Sequence, residues 1–136
     1  MPRILSIDYG KKRTGLAVTD PLKIIATGLC TVESNRLMPF LKEYIAKEPV
    51  ERIIIGMPLN WDDSATDATP FVKEFVRALH RAFPAIPVEE VDERFTSKMA
   101  SRAMVDMGLK KKQRQNKALV DEIAATILLQ EYLQRS

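Results

Sequence analysis

Two short apolar runs, Ile4-Leu5-Ser6-Ile7 and Leu16-Ala17-Val18, are separated only by Asp8-Tyr9-Gly10-Lys11-Lys12-Arg13-Thr14-Gly15. A connection that short cannot carry a crossover helix, so the runs must pair antiparallel around a glycine-flanked turn. Strands are therefore predicted over Arg3–Asp8 and Gly15–Thr19. The first ends in a carboxylate. Desolvating an unpaired charge costs several kcal/mol or raises its pKa, yet the residues that follow include three cations between two glycines. The strand thus delivers Asp8 to an open sheet edge beside a basic turn, an arrangement that suits a bound metal ion and a phosphate group.

The rest of the chain extends this hairpin into a sheet. Ile24–Val32 reads as a third strand, rich in β-branched residues. Ser34 or Asn35 is placed to cap a helix to about Lys47, with Leu37, Leu41, Tyr44 and Ile45 on one face. Arg52–Gly56 is a buried strand, followed by a loop from Gly56 to Ser64. A helix from about Asp67 to Ala82 turns Phe71, Phe75, Val76 and Leu79 inward, and Ile86–Val91 is a fifth strand. Thr96 or Ser97 caps a short helix to about Met107, stopped by Gly108. A last helix runs from about Lys117 to Leu133. The early hairpins require antiparallel pairing and the later helical crossovers parallel pairing. The expected fold class is α/β: a mixed five-stranded sheet with helices on both faces, in a single domain spanning residues 1–136. Repeats, low-complexity segments and domain boundaries are absent from the sequence.

Composition narrows the function classes. With 46% hydrophobic and 29% charged residues the chain reads as an ordinary globular protein. Cys30 is the single cysteine, which rules out an intrachain disulfide framework or a cysteine metal site and fits a reducing, cytoplasmic setting. No run approaches the ~18 apolar residues of a membrane span, and a strand starting almost at the first residue leaves no room for a signal peptide. The net charge of +3 is a weak pointer to nucleic acid; its distribution says more. Lys110, Lys111, Lys112, Arg114 and Lys117 fall in one stretch, and Lys11, Lys12 and Arg13 in another. Charge runs commonly end as solvated loops, so these clusters gain meaning only from where the acids lie.

Ligands of parallel α/β sheets gather at the carboxyl ends of strands. Asp8 ends the first strand there, and Asp92-Glu93 the fifth. Alternation does not choose between Asp92 and Glu93, since Val88 and Val91 fall on opposite parities. In the last helix Asp121 shares a direction with Ala124, Ala125, Leu128 and Tyr132, whereas Thr126, Gln130 and Gln134 lie opposite. Its plainer explanation is an acid near a helix start, favoured by the macrodipole by about 0.3–1 kcal/mol. Three carboxylates from distant segments at one sheet edge would repel one another unless cations intervened. Mg²⁺ or Mn²⁺ matches such oxygen donors, and two such ions about 3.5–4 Å apart can activate water and stabilise the leaving oxygen of a phosphodiester. The neighbouring lysines and arginines would hold flanking phosphates. His80, among Arg77 and Arg81, reads as a surface residue.

Four segments carry a family resemblance: Asp8-Tyr9-Gly10-x-Lys12-Arg13-x-Gly15-Leu16-Ala17, Gly56-x-Pro58-Leu59-Asn60, Asp92-Glu93-Arg94-x-Thr96-Ser97 and Asp121-x-x-Ala124-Ala125. In this order, and spanning nearly the whole chain, they resemble the YqgF/RuvX family. That resemblance implies a ribonuclease-H-like fold related to Holliday junction resolvases. It also implies a nuclease that matures the 5′ end of pre-16S ribosomal RNA during ribosome biogenesis. Carried over by position, the catalytic and metal-binding acids are Asp8, Glu93 and Asp121, the family pattern choosing Glu93 where alternation could not.

Around these acids, Lys12, Arg13, Asn60, Arg94, Lys110, Lys111, Lys112, Arg114 and Lys117 are the candidate nucleic-acid contacts. Asn60 equally suits a turn, and Arg94 an ion pair. Trp61 either stacks on an unpaired base or pins its loop, and Met99, Met104 and Met107 read as core. The expected partner is structured RNA, with branched DNA the alternative and ribosomal precursor particles the wider setting. Monomer and weak homodimer are both compatible with the sequence. A phosphotransferase would use Asp8-x-Gly10 and Gly15 as a phosphate hairpin, but five glycines in 136 residues supply no second one. A non-catalytic RNA-binding maturation factor would not need the three acids.

Overall fold

The computed structural model describes residues 2–23, 25–58, 66–92, 102, 105–106, 108 and 116–135, the side chains of 117 and 135 excepted. The elements are β1 (Arg3–Asp8), β2 (Arg13–Thr19), β3 (Ala26–Glu33), a 3-10 turn (Ser34–Arg36), α1 (Leu37–Lys47), β4 (Val50–Met57), α2 (Thr69–Ala82), β5 (Val88–Asp92) and α3 (Lys117–Arg135). The strands form one sheet in the order β3-β2-β1-β4-β5. β1 pairs antiparallel with β2, and β2 with β3, while β1, β4 and β5 run parallel. The mixed sheet expected from the sequence is therefore present, and its three parallel strands send Asp8, Met57 and Asp92 to one edge.

Period-two alternation divides the core into two layers. Leu5 and Ile7, with Leu16, Val18, Ile53, Ile55 and Met57, pack beneath α1 and α2 against Leu37, Leu41, Val72, Val76 and Leu79. Ile4, Ala17, Ala26, Ile54 and Val91 pack on the opposite face against Ala125, Leu128 and Leu129 of α3. The side facing α3 is built from small residues where the helix crosses: Gly15, Ala17, Ser6 and Gly28. At Gly15 an added Cβ would stand 2.8 Å from the Glu122 backbone nitrogen and closer still to the Asp121 carbonyl. The helix backbone thus rests directly on the strand, an approach only glycine permits.

Several local expectations change. Strands β2, β3, β4 and β5 are displaced by up to two residues from the predicted bounds, and α2 starts at Thr69 rather than Asp67. Neither Ser34 nor Asn35 caps α1; Arg36 precedes it with no side-chain cap. The Ser34 hydroxyl is instead used across the fold, as described below. Phe71 is not inward but 43% exposed, because Thr69, Val72, Val76 and Leu79 form the buried face of α2; the Lys11 ammonium covers its ring at 4.2 Å. His80 is exposed as expected. Gly108 has φ of +75°, the left-handed conformation that ends helices, and its N–H donates to Val105 O at 2.9 Å. The predicted caps Thr96 and Ser97, and Met99, Met104 and Met107, lie outside the described residues.

Candidate active site

The site is built from one row of residues across the sheet. Asp8 lies opposite Gly15 on β2, and Gly15 opposite Thr31 on β3. Directly opposed residues point to the same face, and that face is covered by α3. Thr31 Oγ1 donates to Ala118 O at 2.6 Å, and the Asp121 backbone lies over Gly15. One row further, Ser6 Oγ donates to Ala125 O at 2.9 Å. Thr31, Gly15 and Ser6 thus meet Ala118, Asp121 and Ala125, so the helix crosses β3, β2 and β1 in turn. Seated this way, the Asp121 backbone lies over the cross-strand partner of Asp8.

Asp121 is half-buried in the second turn of α3, not a first-turn acid serving the macrodipole. Its Oδ2 receives Arg13 Nε at 3.3 Å. Arg13 alternates with Gly15 along β2, which places its guanidinium on the α3 face. The start of α3 is fixed by Asn116, whose Oδ1 accepts the N–H groups of Ala118 and Leu119 at 3.1 and 3.3 Å. This is N-cap geometry, satisfying two donors the helix leaves free.

The basic turn is clamped from β3. Ser34 Oγ donates to Gly10 O, leaving Thr14 Oγ1 to donate to Ser34 Oγ at 2.8 Å. The Ser34 N–H donates to Lys12 O at 2.9 Å. A Cβ on Gly10 would meet Arg13 O at 2.5 Å, so the turn closes on itself only with glycine there. Tyr9 stacks on Phe75 of α2, centroids 4.6 Å apart; burial, then the Glu74 carboxylate, raises its phenol pKa. The turn presents Lys11, Lys12 and Arg13 around a cleft of about 520 Å³ completed by Glu33 and Asn35. At the adjacent strand end, Thr69 Oγ1 donates to Pro58 O at 2.6 Å, tying the start of α2 to the end of β4.

Val88 belongs with the layer under α1 and α2, and Val91 with the layer under α3. Asp92 has the parity of Val88 and is exposed, so it faces away from α3. Glu93 lies outside the described residues, as do Asn60, Trp61, Arg94, Lys110, Lys111, Lys112 and Arg114; Lys117 is described only as helix backbone. Among the described residues no group of three or more His, Cys, Asp or Glu side chains is placed to hold a metal. The donor chemistry present is nonetheless that of a hard cation: carboxylate oxygens of Asp8 and Asp121, with a positive group already drawn to Asp121.

Sequence reasoning missed three positioning residues: Asn116, Ser34 and Ser6. A signal existed for each. Asn116 directly precedes the periodic run of α3. Ser6 is the polar residue two before Asp8, on its face. Ser34 follows the strand that pairs with the basic turn.

The family model for RuvX, described as Holliday junction resolvase, matches residues 2–135. A relative from Bacteroides thetaiotaomicron, named "Putative pre-16S rRNA nuclease", is 58% identical over 134 residues, covering 98% of this chain and 97% of that one. A relative of the same name from Flavobacterium psychrophilum is 56% identical over 135 residues, covering 99% and 98%. Among solved structures, Thermus thermophilus RuvC in complex with Holliday junction substrate superposes with a TM-score of 0.57 at 20% identity, covering 99% of this chain and 96% of that one. At that identity the likeness establishes the ribonuclease-H-like fold. Among the described residues, no helix is long and apolar enough to cross a membrane.

Proposed function

This chain belongs to the RuvX family, and from that premise we propose that it is a metal-dependent nuclease acting on structured RNA. Its proposed role is processing of the 5′ end of pre-16S ribosomal RNA, in the cytoplasm where ribosomes assemble. The observation that carries the reading is the seating of Asp121 on Gly15, the cross-strand partner of Asp8. A close approach of helix to strand occurs at the cross-strand partner of Asp8, and in this reading it brings Asp121 to the site. The names of the relatives support the RNA precursor as substrate.

In this reading Asp8, Asp121 and Glu93 hold Mg²⁺ or Mn²⁺; Asp92, exposed and facing away from α3, is the less suited of the Asp92-Glu93 pair. The bound ions supply the charge that activates a water and stabilises the departing oxygen. Hydrolysis forms one phosphorus–oxygen bond to water and breaks the one to the leaving group; the proton released by water ends on the leaving oxygen. Lys11, Lys12 and Arg13, held by the Ser34 clamp, bind backbone phosphates and fix the strand relative to the acids. Asn60, Arg94, Lys110, Lys111, Lys112, Arg114 and Lys117 extend that contact along the nucleic acid.

The family description favours a second reading, resolution of four-way DNA junctions by the same acids. Cleavage of a pre-16S fragment and of a four-way junction, each with Mg²⁺ or Mn²⁺, separates the two. The RNA is expected to be cut, with Asp8→Asn, Glu93→Gln and Asp121→Asn losing cleavage by at least about 100-fold while keeping most binding. Cutting of the junction alone would overturn the RNA assignment. Undiminished cleavage by the variants would overturn the metal site, and binding with no cleavage of either substrate would make the chain a maturation factor.

A further inference from the structure

The Arg13–Asp121 pair raises a question that the proposed metal site makes acute. A guanidinium and a divalent cation cannot both neutralise one carboxylate at close range without repelling each other. Here Arg13 Nε stands 3.3 Å from Asp121 Oδ2, with the two side chains 36% and 26% exposed. Strong charge-assisted pairs close to about 2.7–2.9 Å. The observed Nε–Oδ2 contact is longer than that and partly exposed to water, so this ion pair is open to exchange.

The surroundings give the guanidinium an alternative. Its backbone cannot drift, because the turn is tied through Ser34 to Gly10 and Lys12. Only the side chain is free to swing. The 520 Å³ cleft beside it is lined by Lys11, Lys12, Arg13, Glu33 and Asn35, a setting in which a phosphate group would meet several donors. Arg13 therefore stands between an acid that a metal would claim and a cleft that a phosphate would fill.

Resting on the metal-site reading above, we propose that Arg13 is a positioning residue that competes with the divalent cation for Asp121 and is handed over to a nucleic-acid phosphate when the cation binds. Without cation and substrate, the guanidinium stands in for the missing positive charge and keeps Asp121 oriented. With both, it leaves the carboxylate and binds phosphate. Metal and nucleic acid then favour each other's binding, since each draws Arg13 in the same direction.

The test is Mn²⁺ binding to the intact protein, read by electron paramagnetic resonance of free Mn²⁺, for the wild type, Arg13→Gln, Arg13→Lys and Asp121→Asn. Without the Arg13 guanidinium as competitor, Arg13→Gln is expected to bind Mn²⁺ about two- to fivefold more tightly, the range of a partly exposed ion pair. Asp121→Asn is expected to weaken binding. Arg13→Lys keeps the charge but loses the planar fork, falls between, and carries the test should Arg13→Gln fail to fold by circular dichroism. A phosphorothioate RNA hairpin is expected to raise Mn²⁺ affinity more in the wild type than in Arg13→Gln. Unchanged or weaker Mn²⁺ binding by Arg13→Gln, beside a weakened Asp121→Asn, overturns the competition and leaves the metal site standing. Wild-type affinity in Asp121→Asn overturns both. An equal gain from RNA in wild type and Arg13→Gln overturns the hand-over.

Discussion

Replacing Gly15 by alanine tests the seating of the last helix in one step. The new methyl would stand 2.8 Å from Glu122 N and closer to the Asp121 carbonyl. Carbon packs against such atoms at about 3.5–4.0 Å, so the helix must withdraw by on the order of 1 Å. Both clashing groups belong to the helix backbone, which cannot rotate aside as a side chain would. Overpacking of this kind costs about 1–3 kcal/mol, and here the upper end applies. The entropic benefit of Gly→Ala, about 0.4–1 kcal/mol, is too small to offset it. For a domain of this size the net loss lowers Tm by on the order of 10 °C. If Asp121 serves the proposed metal site, its withdrawal by about 1 Å is expected to cost roughly 100-fold in cleavage rate. Gly28→Ala is the matched control: the nearest atoms to its methyl would be Cγ, Cδ and Oε1 of Glu122, at 3.0, 3.1 and 3.3 Å, and that flexible side chain can yield. Scanning calorimetry and cleavage assays on the two variants decide the matter. Gly15→Ala with wild-type Tm and rate, or Gly28→Ala equally damaged, would refute the reasoning.

Ser34→Ala removes the acceptor of the buried Thr14 hydroxyl and the donor to Gly10 O; urea unfolding is expected to show a loss of about 1–3 kcal/mol, and RNA binding to weaken as the basic turn loosens. Asn116→Ala removes the cap of α3 and should cost about 1 kcal/mol by the same measurement, whereas Asn116→Asp should cost much less. Burial, then the Glu122 carboxylate, raises the Cys30 thiol pKa. Less thiolate is therefore present near neutral pH, and iodoacetamide should label native Cys30 more slowly than the urea-unfolded chain at pH 8. Glu122→Gln should speed that labelling by lowering the pKa, and an equal rate in the native and unfolded chains would contradict the burial assignment.

The sheet was legible because its signals are local. The short Asp8–Gly15 connection forces a hairpin, and apolar runs such as Ile53-Ile54-Ile55 leave few alternatives to a buried strand. The close seating of α3 was legible for a different reason: Asp121 lies in line with Ala124 and Ala125, small residues that mark where a helix packs closely. The ambiguity between Asp92 and Glu93 arose from reading β5 as having one buried face. Val88 and Val91 belong to two different layers, and only the three-dimensional placement of α3 says which layer lies beside Asp8. Ser34 misled because a serine before a helix commonly caps it, while here a tertiary partner, the turn carbonyl of Gly10, takes its hydroxyl. Phe71 misled because it falls at the edge of the apolar arc of α2, where cation–π contact with Lys11 replaces burial.

Anomalous diffraction from crystals grown with Mn²⁺ addresses the shared-carboxylate site without relying on turnover. Manganese is expected at the carboxyl end of β1, bound by Asp8 and Asp121 with Glu93 contributing. Manganese bound elsewhere, or a structure holding these three carboxylates too far apart to share it, would contradict the account.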